Sequence, residues 1–324
     1  MKLDTLLVGE PTTIRARAEA LAATGVDGLF TFEGPWDVFT PLVLAAEALA
    51  GACDLYTNVA IAFPRSPMHL AQQANDLQSL ARGRFALGLG TQVRAHVERR
   101  FGSTWGRPVD HMAEWVAAIR AIQEHWQHGA PLAFQGEWTT HTQSAPMFDP
   151  GPNPHGPPPL WLGALGPRMT DLAVAAADAV LVHPFASRRH LHDVTFPRLA
   201  GAKAVVGQAI VGVGEGSVEA VRGLLAFYGS TPAYRPVLDT HGWGHLQPEL
   251  RALTKAGEWD RLPALVDDEV VRTIAVVGTP AEIAAELVAR FAGHADRVAI
   301  YSPAALEPDA LADVVTVFHR LTSG

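Results

Sequence analysis

The stretch from residue 57 to residue 92 limits the possible folds of this chain more than any other. It reads TNVAIAFPRSPMHLAQQANDLQSLARGRFALGLGTQ. Apolar runs at 59–63 and 85–89 enclose a segment, 67–81, in which apolar residues recur at helical spacing. A strand, a helix and a second strand within about thirty residues are typical of a parallel βαβ unit. Both runs are apolar at successive positions, which indicates strands covered by helices on both faces of a parallel sheet.

The loops that follow these two predicted strands carry unusual polar residues. Arg65 comes after the first strand and Gln92 after the second. Loops at the carboxyl ends of parallel strands are where α/β enzymes hold their active sites. We therefore expect an enzyme with a ligand above these strand ends.

Six further apolar segments complete a predicted set of eight strands, at 3–8, 28–32, 160–162, 179–182, 204–213 and 296–301. Helical patterns separate them, and the strongest covers 109–128. Eight strands that alternate with helices in 324 residues predict an α/β fold of the (β/α)8 TIM-barrel class. A doubly wound sheet with a second domain is the alternative, but no linker-like change in composition divides the chain. We therefore expect one barrel domain over 1–324, with irregular Pro- and Gly-rich insertions near 129–158 and 230–270.

The composition predicts a cytoplasmic protein with a large core. Hydrophobic residues make up 48% of the chain and charged residues only 18%. A formal net charge of −8 with no basic block argues against a nucleic-acid partner. The amino-terminal apolar stretch is too short for a signal peptide, and no run is long enough to span a bilayer, so no membrane partner is expected. Cys53 is the one cysteine and fits no disulfide or thiol–metal pattern, so we expect no metal site.

Several motifs, in their order along most of the chain, resemble those of the bacterial-luciferase-like flavin and deazaflavin oxidoreductases. They are Gly25-Val26-Asp27-Gly28, Arg65-Ser66-Pro67, Leu80-Ala81-Arg82-Gly83-Arg84-Phe85, Gly88-Leu89-Gly90-Thr91 and Pro158-Pro159-Leu160-Trp161-Leu162-Gly163. A second set is similar to one actinobacterial branch that is assigned to coenzyme F420, a deazaflavin. It comprises Gly90-Thr91-Gln92-Val93, Glu98-Arg99-Arg100-Phe101-Gly102, Phe148-Asp149-Pro150-Gly151-Pro152 and Ser230-Thr231-Pro232-Ala233-Tyr234-Arg235-Pro236.

The resemblance implies a barrel with the flavin-type ring over the carboxyl ends of the strands. It also implies a non-prolyl cis peptide bond in strand three, between Asn58 and Val59, and a homodimer formed through the helices at 41–50 and 67–81. The catalytic residues best known in the family are not carried over. Glu33-Gly34 stands where relatives often have Asp-His, and Val93 stands where the sugar-phosphate dehydrogenases have a Glu.

The candidate site residues follow the predicted strands. Amide side chains match the donors and acceptors of a ring edge, a cation neutralises a phosphate, and a Gly-rich turn before a helix leaves N–H groups free for an anion. Val59 and Gly90 come from the family resemblance, and His183 comes from its place at the end of strand six. The candidate cofactor-binding residues are Asn58, Val59, Arg65, Gly90, Gln92, Gly163, Ala164, Gly166 and His183. The candidate catalytic residues are Glu33, Trp36 and Asp37. An acidic side chain of this cluster could act as a general acid or base, and Trp36 could form an aromatic wall for the substrate. The structural alternatives are a salt bridge for Arg65, a helix-capping acid and a buried Trp in the 33–37 segment, and a core position for His183.

Three functions remain open from the sequence. The first is a coenzyme F420-dependent oxidoreductase that transfers a hydride between the deazaflavin and a small-molecule substrate. The second is an FMN-dependent luciferase-like monooxygenase that uses a separate reductase. The third is a barrel that binds a flavin or F420 without catalysis. Arginines at 65, 94, 99, 100 and 168 favour the first, because coenzyme F420 carries an anionic oligoglutamate tail.

Overall fold

Eight parallel strands close into a barrel in the computed structural model, which describes residues 1–303 and 306–323. The strands are β1 Lys2–Leu6, β2 Gly28–Thr31, β3 Asp54–Thr57, β4 Ala60–Ile61, β5 Phe85–Gly90, β6 Phe134–Gln135, β7 Thr140–His141, β8 Leu160–Ala164, β9 Ala179–Val182, β10 Val205–Val213, β11 Val276–Gly278 and β12 Arg297–Tyr301. The barrel wall runs β10, β12, β1, β2, β3, β5, β8, β9, and β9 pairs back to β10. The predicted (β/α)8 barrel is therefore confirmed.

Helices follow most of the wall strands. They are α1 Ile14–Ala22, α2 Thr40–Leu49, α3 Pro67–Leu80, α4 Arg94–Arg99, α5 Pro108–His128, α6 Pro167–Ala176, α7 Arg188–His190, α8 Phe196–Arg198, α9 Val218–Gly229, α10 Arg235–Asp239, α11 Leu246–Ala256, α12 Asp268–Ile274, α13 Pro280–Phe291 and α14 Pro308–Thr322. A π-helical turn, Leu191–Thr195, joins α7 to α8. The sequence predicts the start of α13 well, because Thr279 and Glu282 form a capping box there.

Two predicted segments differ from the structure. The third wall strand is β3 at 54–57 and not the apolar run at 59–63, which contributes only the short β4. The segment near 230–270 is largely helical and not irregular, since it contains α10, α11 and the start of α12. Its apolar side chains pack against α9 in a second buried cluster outside the barrel. The 129–158 segment matches the prediction more closely, with the small hairpin of β6 and β7.

The reason for the early end of β3 is a bulge. Tyr56 pairs with Ala86 and Ala60 pairs with Leu89, so the chain advances four residues on one strand against three on β5. At the point where the ladder is interrupted, the Thr57 hydroxyl donates to the carbonyl oxygen of Gly88 at 2.7 Å and accepts from its N–H at 2.9 Å. The peptide bond that follows, Asn58–Val59, is cis, as the resemblance implies.

The amino-terminal end of the barrel is closed by a buried ion pair. Arg297 on β12 donates two hydrogen bonds to Asp4 on β1, at 2.6 and 2.7 Å, and a third to Asp54 on β3 at 3.1 Å. Its guanidinium packs over the rings of both Tyr56 and Trp161, 5.3 and 5.5 Å from their centroids, and the Tyr56 hydroxyl donates to Asp4 at 2.8 Å. Because paired charges and rings fill this end, the opposite, carboxyl end is where we look for a ligand site.

Within the described residues, no helix is both long and apolar enough to cross a membrane. The same part of the chain holds no group of three or more His, Cys, Asp or Glu side chains placed to bind a metal ion.

Candidate active site

The bulge after β3 places Val59 against two neighbouring strands at the carboxyl end of the barrel. A Cβ atom added to Gly90 would lie 2.4 Å from Val59 Cγ2, and one added to Gly163 would lie 3.2 Å from Val59 Cγ1. Gly90 ends β5, and Gly163 lies next to Ala164 at the end of β8. Glycine is therefore required at Gly90 and favoured at Gly163, because Val59 occupies the space of a larger side chain. The three residues form one apolar surface, which we call the Val59 platform.

Asn58 brings a polar group to the edge of the Val59 platform. Its Oδ1 accepts a hydrogen bond from Nε2 of Gln208, on β10, at 3.0 Å. Its Nδ2 is buried and has no hydrogen-bond partner among the described residues. A buried donor without an acceptor costs roughly 1–3 kcal/mol, so such a group requires a partner that a ligand can supply. Asn58 is predicted from the sequence but Gln208 is not, although Gln208 is a polar residue inside an apolar nine-residue strand.

Glu33 and Arg65 bind each other. Arg65 donates to Glu33 Oε2 at 2.8 Å and to Glu33 Oε1 at 3.0 Å, and it also donates to the carbonyl oxygen of Ile61. The same carboxylate accepts from the N–H of Ile61 at 3.2 Å. The pair therefore ties the loop after β2 to the loop after β4. Arg65 is not a free cation for a phosphate and Glu33 is not a free acid or base, so both expected roles are corrected here.

Asp37 caps a helix. Its Oδ1 accepts from the backbone N–H groups of Phe39 and Thr40, at 3.0 and 2.8 Å, where α2 begins. The structural alternative thus accounts for this carboxylate. Trp36 differs, because its side chain is 44% exposed and lines a small cavity with Phe32 and Leu7 beside the ends of β1 and β2. The predicted placement of Trp36 as a wall on the substrate side remains compatible with this position.

Nothing in the structure tests the roles predicted for Gln92 and for the turn after β8, which are contact with the ring and binding of an anion. Gln92 has a left-handed backbone conformation, φ 59°, and its Oε1 accepts from the N–H of Val93 at 2.9 Å. Its Nε2 is the group left to contact a ligand. Gly166 is the N-cap of α6 and no side chain caps that helix, so the first N–H groups of α6 are available to an anion.

His183, at the end of β9, belongs to an aromatic group. Its ring stacks on Tyr234 with centroids 4.4 Å apart and meets Tyr228 edge-on at 5.2 Å. Nδ1 accepts a hydrogen bond from the N–H of Phe185 at 3.1 Å, which assigns the proton of the neutral ring to Nε2. Burial lowers the pKa of His183 to about 3, so the ring is neutral at pH 7.

Tyr301, at the end of β12, extends this aromatic group to the barrel interior. Its ring lies 6.5 Å from that of Tyr228, measured between centroids, and packs edge-on against Phe32 at 5.5 Å. Burial raises the pKa of Tyr301, so its hydroxyl keeps its own proton at neutral pH. Sequence analysis missed the three tyrosines, which lie 67 residues apart at most between 234 and 301 and meet only through the fold.

Comparisons with known proteins identify the family of this chain. A sequence model described as luciferase-like monooxygenase matches residues 4–297. An uncharacterised protein of Mycobacterium tuberculosis is 43% identical over 314 residues, which cover 92% of each chain. The 5,10-methylenetetrahydromethanopterin reductase of Archaeoglobus fulgidus is 28% identical over 238 residues, 67% of each chain.

Among solved structures, the coenzyme F420-dependent tetrahydromethanopterin reductase of Methanopyrus kandleri superimposes with a TM-score of 0.80. It is 17% identical to this chain and the match covers 98% of both chains. This likeness shows the shared barrel fold. The family match spans nearly the whole barrel, from β1 to the start of β12. The chain is therefore a member of the luciferase-like monooxygenase family, whose proteins are oxidoreductases and monooxygenases.

Proposed function

We propose that this protein is a coenzyme F420-dependent oxidoreductase that transfers a hydride between the deazaflavin and a small organic substrate. The observation that carries the proposal is the unpartnered Asn58 Nδ2 beside the Val59 platform. A flat ring with carbonyl oxygens at its edge fits both features, since one face meets an apolar surface and one edge meets a buried donor. The bound deazaflavin would supply the hydride chemistry at its C5 carbon.

The residues of this chain would bind and orient the ring and handle protons. Val59 supports one face of the ring and Asn58 donates to its edge, while Gln208 holds the Asn58 amide in place. Gln92 and the first turn of α6 contact the polar groups that follow the ring. Trp36 bounds the substrate on the outer side.

Proton transfer needs a group other than Glu33, because Arg65 occupies that carboxylate. Tyr301 is the group we assign to this role. It faces the barrel interior, keeps its proton at neutral pH, and lies beside Tyr228, with ring centroids 6.5 Å apart. His183, neutral and with a proton on Nε2, is a second donor beside it.

The second candidate function is an FMN-dependent monooxygenase with a separate reductase, favoured by the description of the matching family. Binding without catalysis is the third. Equilibrium titration with coenzyme F420 and with FMN, followed by oxygen consumption with each reduced cofactor and no substrate, separates the first two, and substrate-dependent oxidation or reduction of the bound deazaflavin separates the first from the third. We expect binding of the deazaflavin and little oxygen consumption. Tight binding of FMN alone would overturn the cofactor proposal.

Two alanine variants, one at the candidate site and one on an exposed helix, test whether the ring binds beside Asn58. Asn58→Ala should weaken deazaflavin binding about two- to tenfold, since a neutral hydrogen bond contributes roughly 0.5–1.5 kcal/mol. Gln72→Ala removes an exposed amide from α3 and should leave the affinity unchanged. Equal affinity of both variants and the wild type would show that the ring binds elsewhere.

A further inference from the structure

A second cavity lies outside the barrel, in a groove between α7, the end of α12 and α13. It has a volume of about 550 Å³, within the range of roughly 300–1,000 Å³ that is usual for ligand sites. Four arginines line it: Arg188, Arg189, Arg272 and Arg290. One carboxylate, Glu286, lies among them. In a chain with a formal net charge of −8, this groove is a local concentration of positive charge.

The groove has a rigid floor. Arg290 is 2% exposed and donates to the carbonyl oxygens of Ile274 at 2.7 Å, Ala275 at 3.2 Å and Ala186 at 3.3 Å. These bonds fix the end of α12 to the segment that leads into α7. Arg290 also takes up Glu286, through a hydrogen bond from its Nε at 2.8 Å. Glu286, the carboxylate that lines the groove among the described residues, is therefore already engaged by the buried arginine.

The two arginines on α7 remain available at the rim. The side chain of Arg188 is 55% exposed and its nearest carboxylate oxygen, on Glu286, is 3.9 Å away. The side chain of Arg189 is 65% exposed and lies 3.4 Å from Asp193, a residue that does not line the groove. Both guanidinium groups keep donors free for an anion, because each engages one carboxylate oxygen at long range.

The groove adjoins the candidate active site through a short segment. His183 lies at the active-site end and Ser187 lines the groove, four residues further on. Four residues reach at most about 14 Å, so the groove begins within that distance of the aromatic group. An anionic chain longer than this distance that leaves the barrel near His183 is therefore long enough to reach the groove.

We propose that this groove binds the oligoglutamate tail of coenzyme F420, with Arg188 and Arg189 as the contacts to its carboxylates. The inference rests on the proposed function, because it concerns the same cofactor. Binding of deazaflavins that differ only in their tails distinguishes the contribution of the groove from that of the ring site. The ligands are coenzyme F420 with several glutamates, its phospholactate form without glutamates, and the deazariboflavin chromophore alone.

The test is equilibrium binding of these three ligands, followed by ring fluorescence, to the wild type and to Arg188→Ala/Arg189→Ala. Exposed ion pairs each contribute up to about 1 kcal/mol, so the double variant should bind the glutamylated form about tenfold more weakly. Binding of the two forms without glutamates should change less than twofold. The loss should shrink as salt is raised, because exposed charges are screened.

Two further variants serve as controls. Arg198→Ala removes an exposed arginine of α8 with a comparably distant carboxylate, Asp171 at 3.8 Å, and should bind all three ligands as the wild type does. Arg188→Lys/Arg189→Lys keeps the charge and should recover most of the affinity. Unchanged binding of the chromophore by each variant also reports that the barrel is folded.

Each remaining outcome overturns the inference. Unchanged binding of the glutamylated form by the double alanine variant, with the wild type binding all three ligands, refutes the groove and leaves the proposed function standing. An equal loss for the phospholactate form assigns the groove to phosphate and not to the tail. An equal loss for all three ligands assigns α7 a structural role. A wild type that binds none of the three refutes the proposed function together with the inference.

Discussion

The Glu33–Arg65 pair allows a test between two roles for Arg65. The sequence suggests that Arg65 binds the cofactor, whereas the structure shows it in a salt bridge with Glu33. Residues Glu33 and Arg65 are 9% and 18% exposed, so the pair is largely removed from water. Removal of one partner from a buried pair costs about 3–5 kcal/mol, because the other charge is left unpaired. We expect about 3 kcal/mol for Glu33→Gln and for Arg65→Met, at the lower end because Arg65 keeps some contact with solvent.

The double variant, Glu33→Gln/Arg65→Met, should lose less than the sum of the two single variants. It removes both charges of the pair, while Asp37, which lies 3.7 Å from Arg65, is 47% exposed and stays hydrated. We therefore expect a coupling energy of about 2 kcal/mol, which is within the range for residues in direct contact. The entropy of unfolding is about 0.7 kcal/mol/K for 324 residues, so each single change should lower Tm by roughly 4 °C. Calorimetry and urea unfolding of the four proteins measure both quantities.

Deazaflavin affinity distinguishes the two interpretations of Arg65. If Arg65 bound a cofactor phosphate directly, Arg65→Met would weaken binding about ten- to a hundredfold, the effect of a lost charged hydrogen bond, and Glu33→Gln would leave it unchanged or tighter. If the pair instead holds two loops together, both single variants should affect affinity to the same extent. Additive changes in stability, or a loss of affinity in Arg65→Met alone, would refute the structural role.

Three further predictions follow from the site. Gly90→Ala should lower the free energy of unfolding by about 1–3 kcal/mol and weaken cofactor binding, because its Cβ would lie 2.4 Å from Val59. Gly166→Ala is the control and should change Tm by less than a degree, because no atom lies within 4 Å of the added Cβ. Equal thermal shifts of the two variants would contradict the Val59 platform. Burial lowers the pKa of His183 from 6.5 to about 3, so the unfolded chain takes up a proton below pH 6.5 that the folded chain does not. Stability should therefore fall by about 2 kcal/mol from pH 7 to pH 5, and urea unfolding of His183→Gln should show a smaller fall. Trp36→Ala should reduce turnover more than cofactor affinity, which steady-state kinetics and titration compare; the opposite order would place Trp36 at the cofactor.

The barrel could be predicted because each wall strand is a local apolar run. The exception is β3, whose sequence, DLYT, starts with a charged residue and carries less apolar character than the 59–63 run beside it. The bulge shifts the register of this strand against β5 by one residue, and no local sequence pattern predicts such a shift. The cis bond between Asn58 and Val59 was available only through the family resemblance.

The helices near 230–270 were missed because their Pro and Gly residues stand at helix ends. Pro236 is in the first turn of α10, and Gly257 ends α11 with a left-handed conformation, φ 74°. The density of such residues was interpreted as irregular structure. The apolar positions between them, such as Leu246 and Leu250, have the spacing of one helix turn and pack in the second cluster.

The site itself was only partly predictable. The loops that hold it follow from strand order, so Asn58, Gln92 and the turn after β8 could be named. Pairwise contacts depend on which loops meet, and for that reason Arg65 was assigned to a ligand when its partner is Glu33. Gln208 and Tyr301 lie inside strand patterns, where a polar atom is easily attributed to the core.

The ion pair at the amino-terminal end of the barrel has a consequence for biosynthesis. Asp4 and Arg297 are 293 residues apart, and they lie on the first and last strands of the wall. Until β12 has left the ribosome, β1 has one unpaired edge and Asp4 has no counter-charge. At 5–20 residues per second, this interval lasts roughly 15–60 s. During that time the open edge of β1 is a template for wrong pairing, which makes the nascent chain a substrate for chaperones that cover exposed strands.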